Sequence, residues 1–169
     1  MQPFRRGFHC NDDTIRYPYK ENTVTSTALS MCTLTVPFLF IAFVQLIRFK
    51  IITPGMTTQS SRKEQVIAWI WSVMNELVTY LFGFLTTRLV TSMTKRATGR
   101  LRPHFIEICK PKDMDIICPA GLLTNRYIED YECTQANHKM IRKSYLSFFS
   151  GHSSAIAYAM VFLVVRHYD

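Results

Sequence analysis

Long apolar stretches without periodic polar positions occupy three parts of the chain. No residue from Val24 to Ile47 is charged, and this stretch of 24 residues exceeds the roughly 20 that a helix needs to cross a bilayer core. A second apolar stretch runs from Val66 to Val90 and is interrupted by Glu76 and Arg88. A third runs from Leu146 to Val165. The pattern therefore predicts three membrane-spanning helices.

The fold class predicted from this pattern is an all-α integral membrane protein, a helical bundle with about three transmembrane helices. We place the spans at about residues 24–47, 72–93 and 147–165, with a long loop over residues 94–150 and a single domain over 1–169. The alternative is a soluble α-helical protein in which the same stretches are buried helices. Stretches this long without polar periodicity are uncommon in soluble bundles, so the membrane interpretation is favoured.

The cysteine positions indicate on which side of the membrane the long loop lies. Two predicted spans separate the N-terminal segment from the long loop, so both lie on one side of the membrane. Four of the five cysteines fall on that side, which allows disulfides in three connectivities: Cys10, Cys109, Cys118 and Cys133. Disulfides persist in oxidising compartments, which favours a lumenal or extracellular face, whereas four unrelated free thiols are the alternative. No CxxC pair or Cys/His ligand spacing indicates a zinc site.

The net charge is +8, from 20 basic and 12 acidic residues, which suits nucleic acid, an anionic membrane or a phosphorylated substrate. Its distribution decides among them. The loop from residue 91 to 147 holds ten basic and six acidic residues, half of the excess. The charge therefore indicates membrane anchoring and a phosphate site rather than nucleic-acid binding.

The densest basic run, from Lys95 to Arg102, follows the second span, and Ser150, Gly151 and His152 lie at the start of the third. Each has a plain structural interpretation. The first is a headgroup anchor in which Gly99 ends the helix, and the second is a helix N-cap by Ser150. Together they flank one loop and lie at the same membrane interface. A helix start offers free N–H groups to an anion, and lysine and arginine add charge, so the two segments predict a phosphate cradle. The histidine there is suited to protonate a leaving alcohol oxygen.

These residues also resemble a known family. Lys95, six intervening residues and then Arg102 with Pro103 resemble the first signature of the type 2 phosphatidic acid phosphatase superfamily, and the segment 150–152 resembles the core of its second. Two segments near the N-terminus, Gly7–Asp13 and Tyr17–Glu21, resemble animal lipid phosphate phosphatases. The similarity runs from about residue 6 to residue 165.

The resemblance implies an integral membrane phosphomonoesterase that acts on lipid phosphates such as phosphatidate, lysophosphatidate and sphingosine phosphate. It implies phosphate binding by Lys95, Arg102, Ser150 and the Gly151 backbone, and a proton donated by His152. It also implies no metal or other cofactor, membrane lipids but no nucleic acid as partners, and a plasma-membrane or endomembrane location. The catalytic loop, residues 94–150, is then extracellular or lumenal.

The chain also departs from the family pattern. Family members have six spans and a third signature, whose histidine attacks phosphorus, and no segment of this chain matches that signature or the family's first span. We therefore expect spans two to four of an incomplete domain, from a truncated isoform, an incomplete gene model or a pseudoenzyme. The alternative function is a non-catalytic membrane protein that binds lipid phosphates or forms oligomers with full-length relatives and modulates them.

Overall fold

The structure is a computed structural model that describes residues 3–52, 61–119 and 126–167. Residues 120–125 of the predicted long loop lie outside this part. The described chain forms two units. We call residues 23–89 and 151–169 the helical unit, and residues 1–22 and 90–150 the loop unit. The elements in chain order are β1 (Phe8–His9), a 3-10 turn (Asp13–Ile15), α1 (Ser26–Ile52), α2 (Arg62–Thr98), α3 (Phe105–Cys109), α4 (Met114–Ile117), β2 (Tyr127–Ile128), α5 (His138–Ser144) and α6 (Gly151–His167).

Two helices of the described chain, α1 and α2, are long and apolar enough to cross a membrane. The first predicted span matches α1, and the second lies inside α2, whose 37 residues extend for about 55 Å. The third predicted span begins too early, because α6 starts at Gly151 and has 17 residues. Residues 147–150 belong to the loop unit instead, where the Ser147 N–H donates to the Arg100 carbonyl at 3.1 Å.

Contacts in the helical unit show that α2 and α6 run antiparallel. The Nε of Arg166 donates to both carboxylate oxygens of Glu76, at 2.9 and 3.0 Å. Four residues later on α2 and eight residues earlier on α6, the Tyr158 hydroxyl donates to the Tyr80 carbonyl at 2.9 Å. Small residues of α6 pack into the core of this unit, whose buried members are Leu29, Ile41, Tyr80, Phe84, Ala155 and Ala159. Gly151, at the start of α6, therefore lies at the same end of the helical unit as Leu89.

A proline inside α1 is compensated by a side chain from α2. Pro37 has no N–H, so the carbonyl of Thr33, four residues earlier, lacks its usual partner within the helix. The Tyr80 hydroxyl donates to that carbonyl at 2.5 Å, and the Tyr80 side chain is 1% exposed. In a helix that spans a membrane no water would replace this donor, so the contact fixes the packing of α1 on α2.

The loop unit has a core of its own, tied together by two disulfides. Cys10 bonds to Cys118 and Cys109 to Cys133, which selects one of the three predicted connectivities. The N-terminal segment enters this core through β1, which pairs antiparallel with β2. The buried members are Phe8, Cys10, Ile15, Phe105, Cys109, Ile128, Tyr131 and Tyr145. This short strand pair is an addition to the all-α prediction.

Candidate active site

The first predicted signature begins in the last turn of α2. Lys95 lies in this turn, where a positive charge is favourable beside the free carbonyl groups of a helix C-terminus. Its side chain is half-buried. Gly99 then ends the helix with φ of +55°, a conformation that glycine adopts without strain. The predicted helix stop at Gly99 is confirmed.

Arg102 is held by its backbone on both sides. Its N–H donates to the Ser144 carbonyl at 2.8 Å, and its carbonyl accepts from the Phe105 N–H at 3.0 Å. Its side chain is half-buried. Within the described residues, its Nε atom is buried and has no hydrogen-bond partner. A buried donor without an acceptor is uncommon in proteins, and a bound anion would satisfy it.

The second predicted signature crosses from one unit to the other. Ser150 is the last residue of the loop unit, and its side chain is exposed. Gly151 and His152 begin α6 in the helical unit. His152 is half-buried, and its imidazole makes no hydrogen bond with the described residues.

His104 follows the first signature, two residues after Arg102. Its ring packs edge to face against Tyr19, with centroids 5.1 Å apart, and Glu107 accepts a hydrogen bond from the Tyr19 N–H. Burial, and then the charge of Arg102, lower the pKa of His104 below its ordinary value of 6.5, although Glu107 opposes the shift. Arg100 and Arg102 carry the positive charge of this segment.

A cavity of about 550 Å³ lies in the loop unit. Its walls come from the N-terminal segment, from the residues around Arg102 and from the residues just before Ser150. They include Arg6, Arg100, Leu101, Pro103, Ser147 and Phe148. Among the described residues, no group of three or more His, Cys, Asp or Glu side chains is placed to hold a metal ion.

The structure thus places Lys95, Arg102 and Ser150 in the loop unit, and Gly151 and His152 in the helical unit. Their joint action on one phosphate stays a prediction. The residues that hold the first signature in place were not predicted from the sequence. The Phe4 N–H, for example, donates to the Arg96 carbonyl at 3.0 Å, and a backbone contact across this separation leaves no local sequence signal.

Comparisons with known proteins identify the family of the chain. The model of the PAP2 superfamily matches residues 76–168, which include both predicted signatures. The chain is 36% identical over 163 residues to phospholipid phosphatase 1 of Mus musculus, with 96% of this chain and 54% of the relative covered. It is 32% identical to phospholipid phosphatase 2 of Homo sapiens, with 96% and 52% covered. The predicted resemblance to lipid phosphate phosphatases is confirmed.

The chain spans about half the length of the relatives that it matches. No solved structure has a significant match to it. The two long apolar helices, together with these relatives, confirm the predicted class of a mostly helical integral membrane protein.

Proposed function

The chain belongs to the PAP2 superfamily, and on this premise we propose that it takes part in the hydrolysis of lipid phosphate monoesters. Phosphatidate, lysophosphatidate and sphingosine phosphate are the proposed substrates. The single observation that carries the proposal is the buried, partnerless Nε of Arg102. In a superfamily whose first signature ends on this arginine, the natural acceptor is a phosphate oxygen.

In the proposed mechanism, Lys95 and Arg102 neutralise the phosphate. Arginine presents its N–H groups in a planar fork that fits two oxygens of one phosphate, and lysine adds a compact charge. The Ser150 hydroxyl and the N–H of Gly151 donate to the remaining oxygens. Charge develops on these oxygens as the ester bond breaks, so donors fixed in advance stabilise the transition state more than water does.

His152 is the proposed general acid. It donates a proton to the alcohol oxygen that leaves with the lipid, the role that the resemblance gives to this histidine. By the same resemblance, a histidine of a third signature attacks phosphorus, and that signature has no match in these 169 residues. The residues assigned here therefore account for binding and leaving-group protonation.

We also propose that the loop unit faces the cell exterior or an organelle lumen. Its two disulfides support this, since such bonds form and persist in oxidising compartments. The phosphate site would then lie at the outer or lumenal interface of the membrane. No metal takes part in the proposed reaction.

Binding is the first test. Orthovanadate, a phosphate analogue, is titrated into the purified chain in detergent micelles by calorimetry. Arg102→Gln is expected to weaken binding by at least about tenfold, because a charge-assisted hydrogen bond is worth about 1.5–3 kcal/mol. The matched control is Arg96→Gln, which removes the same charge from the end of α2 at an exposed position. An equal loss in both variants would mean that general electrostatics, and no specific site, attracts the anion.

Turnover is the second test. Release of inorganic phosphate from phosphatidate in mixed micelles is measured for the wild-type chain and for His152→Asn, which keeps a polar side chain but cannot act as an acid near neutral pH. A lower rate of phosphate release in His152→Asn than in the wild type supports enzymatic activity of the chain. Vanadate binding without phosphate release supports a protein that binds lipid phosphates or modulates relatives within an oligomer.

A further inference from the structure

We infer that Gly99 is a positioning residue of the phosphate site, and that its contact with the Phe4 backbone sets the place of Arg102. The inference rests on the proposed function, because it concerns how that same site is held. Gly99 is buried and has no side chain with which to contact a phosphate. Its effect is exerted through the backbone.

The first observation is a close approach that leaves no room for a side chain. A Cβ atom at position 99 would overlap the carbonyl oxygen of Phe4 and would also meet the Phe4 ring. The Phe4 N–H meanwhile donates to the Arg96 carbonyl at 3.0 Å, one of the carbonyls that the end of α2 leaves free. The N-terminal segment therefore seats its backbone against the last turn of α2 and against the residue that ends it.

The second observation is that the segment from Gly99 to Pro103 has little freedom to absorb a displacement. The Arg100 carbonyl accepts from the Ser147 N–H at 3.1 Å, and the Arg102 N–H donates at 2.8 Å to the Ser144 carbonyl. The Pro103 carbonyl accepts from the Tyr17 N–H at 2.9 Å. A shift forced at Gly99 must break one of these contacts or move Arg102, because only two residues separate them.

Gly99 also has a simpler role as the helix stop, and the two roles respond differently to substitution. The positive φ of 55° is a conformation that asparagine adopts more readily than other side chains. Gly99→Asn therefore keeps the helix stop but introduces a Cβ that collides with the Phe4 carbonyl. A role limited to ending α2 predicts a mild effect, whereas a positioning role predicts weaker anion binding.

The test compares orthovanadate affinity with thermal stability in detergent micelles. Gly99→Asn is expected to weaken vanadate binding about tenfold, the effect of losing one charge-assisted contact. The control is Gly83→Ala, in the helical unit, whose Cβ would overlap the Tyr158 hydroxyl. The control is expected to lower Tm while vanadate affinity stays within about twofold, because Gly83 lies outside the signature segment and outside the loop unit.

A second pair of variants tests the same contact without changing Gly99. Phe4→Pro removes the N–H that donates to the Arg96 carbonyl, whereas Phe4→Ala removes the ring and keeps the N–H. We expect the proline variant to bind vanadate several-fold more weakly than the alanine variant. Similar affinities in this pair would contradict the inference even if Gly99→Asn fails to fold.

The outcomes separate this inference from the proposed function. Wild-type vanadate affinity in Gly99→Asn, with binding lost in Arg102→Gln, overturns the positioning role and leaves the phosphate site standing. An equal loss of affinity in Gly99→Asn and Gly83→Ala also overturns it, because the cause is then a weakened fold. Wild-type affinity in Arg102→Gln overturns the phosphate site itself, and the positioning role with it.

Discussion

The contact between Tyr80 and the backbone of α1 gives a sharp prediction about the helical unit. Tyr80→Phe removes one hydroxyl and leaves a ring of nearly the same shape in a site that is 1% exposed. The Thr33 carbonyl then loses the donor that replaces the missing N–H of Pro37. We expect the variant to lower the free energy of unfolding while the fold stays the same.

The size of the loss follows from the environment of the carbonyl. A hydrogen bond between neutral groups contributes about 1 kcal/mol net in water-soluble proteins, and interhelical bonds in membranes average about 0.6 kcal/mol. The Tyr80 oxygen lies 2.5 Å from the Thr33 oxygen, and an unpaired carbonyl in the bilayer has no water to accept from. We therefore expect a loss of about 1 kcal/mol.

A second substitution turns this loss into a test of its cause. Pro37→Ala restores an N–H that can reach the Thr33 carbonyl along the helix, so the Tyr80 hydroxyl becomes redundant. Unfolding free energies are measured in mixed micelles for the wild type, both single variants and the double variant. Tyr80→Phe should cost about 1 kcal/mol in the wild type and close to zero in the Pro37→Ala background. Equal losses in the two backgrounds would refute this account of the proline.

Three further predictions concern other parts of the chain. Arg166→Gln should destabilise the folded chain in micelles more than Glu76→Gln does. It leaves the Glu76 carboxylate, which is 8% exposed, without its counter-ion, whereas the Arg166 side chain is 51% exposed and keeps access to water. Loss of the Cys109–Cys133 disulfide through a serine variant should cost about 2–4 kcal/mol by chemical unfolding. Burial lowers the pKa of His104 in the folded chain, so the unfolded chain binds more protons below pH 6.5. Tm should therefore fall as the pH drops from 6.5 through the folded pKa. The fall should be less steep in His104→Gln.

Each of these has an outcome that would contradict it. For the ion pair, it is a larger loss in the glutamate variant than in the arginine variant. For the disulfide, it is an unfolding curve of the serine variant that matches that of the oxidised wild type. For the histidine, it is a slope of Tm against pH between 5 and 7 that does not change in the variant.

The sequence was most informative where the physics is local. Apolar stretches longer than a bilayer core located α1 and most of α2, and a glycine after a basic helix end located the stop at Gly99. The start of α6 was placed too early, because Phe148 and Phe149 extend the apolar stretch while the backbone at Ser147 pairs with Arg100. Periodicity cannot detect a backbone hydrogen bond to a residue 47 positions away.

The disulfides and the contacts around Arg102 show the same limit. Four cysteines on one side of a membrane allow three pairings, and the choice depends on which segments of the loop unit fold against each other. The Pro37 and Tyr80 contact was likewise hidden, although a proline inside a predicted span already indicates a carbonyl that needs an outside donor.

The way Arg102 is held also bears on how the proposed site would work. A guanidinium that binds a phosphate must not have its charge neutralised by a carboxylate. No described acidic side chain forms an ion pair with Arg102. Its position is fixed instead through backbone groups, at Ser144, Phe105 and the chain that leads back to Gly99. Such contacts fix geometry without competing for the charge, which leaves the Nε donor ready for an anion. The N-terminal segment and the residues before Ser150 are therefore as much a part of the proposed phosphate site as the signatures themselves.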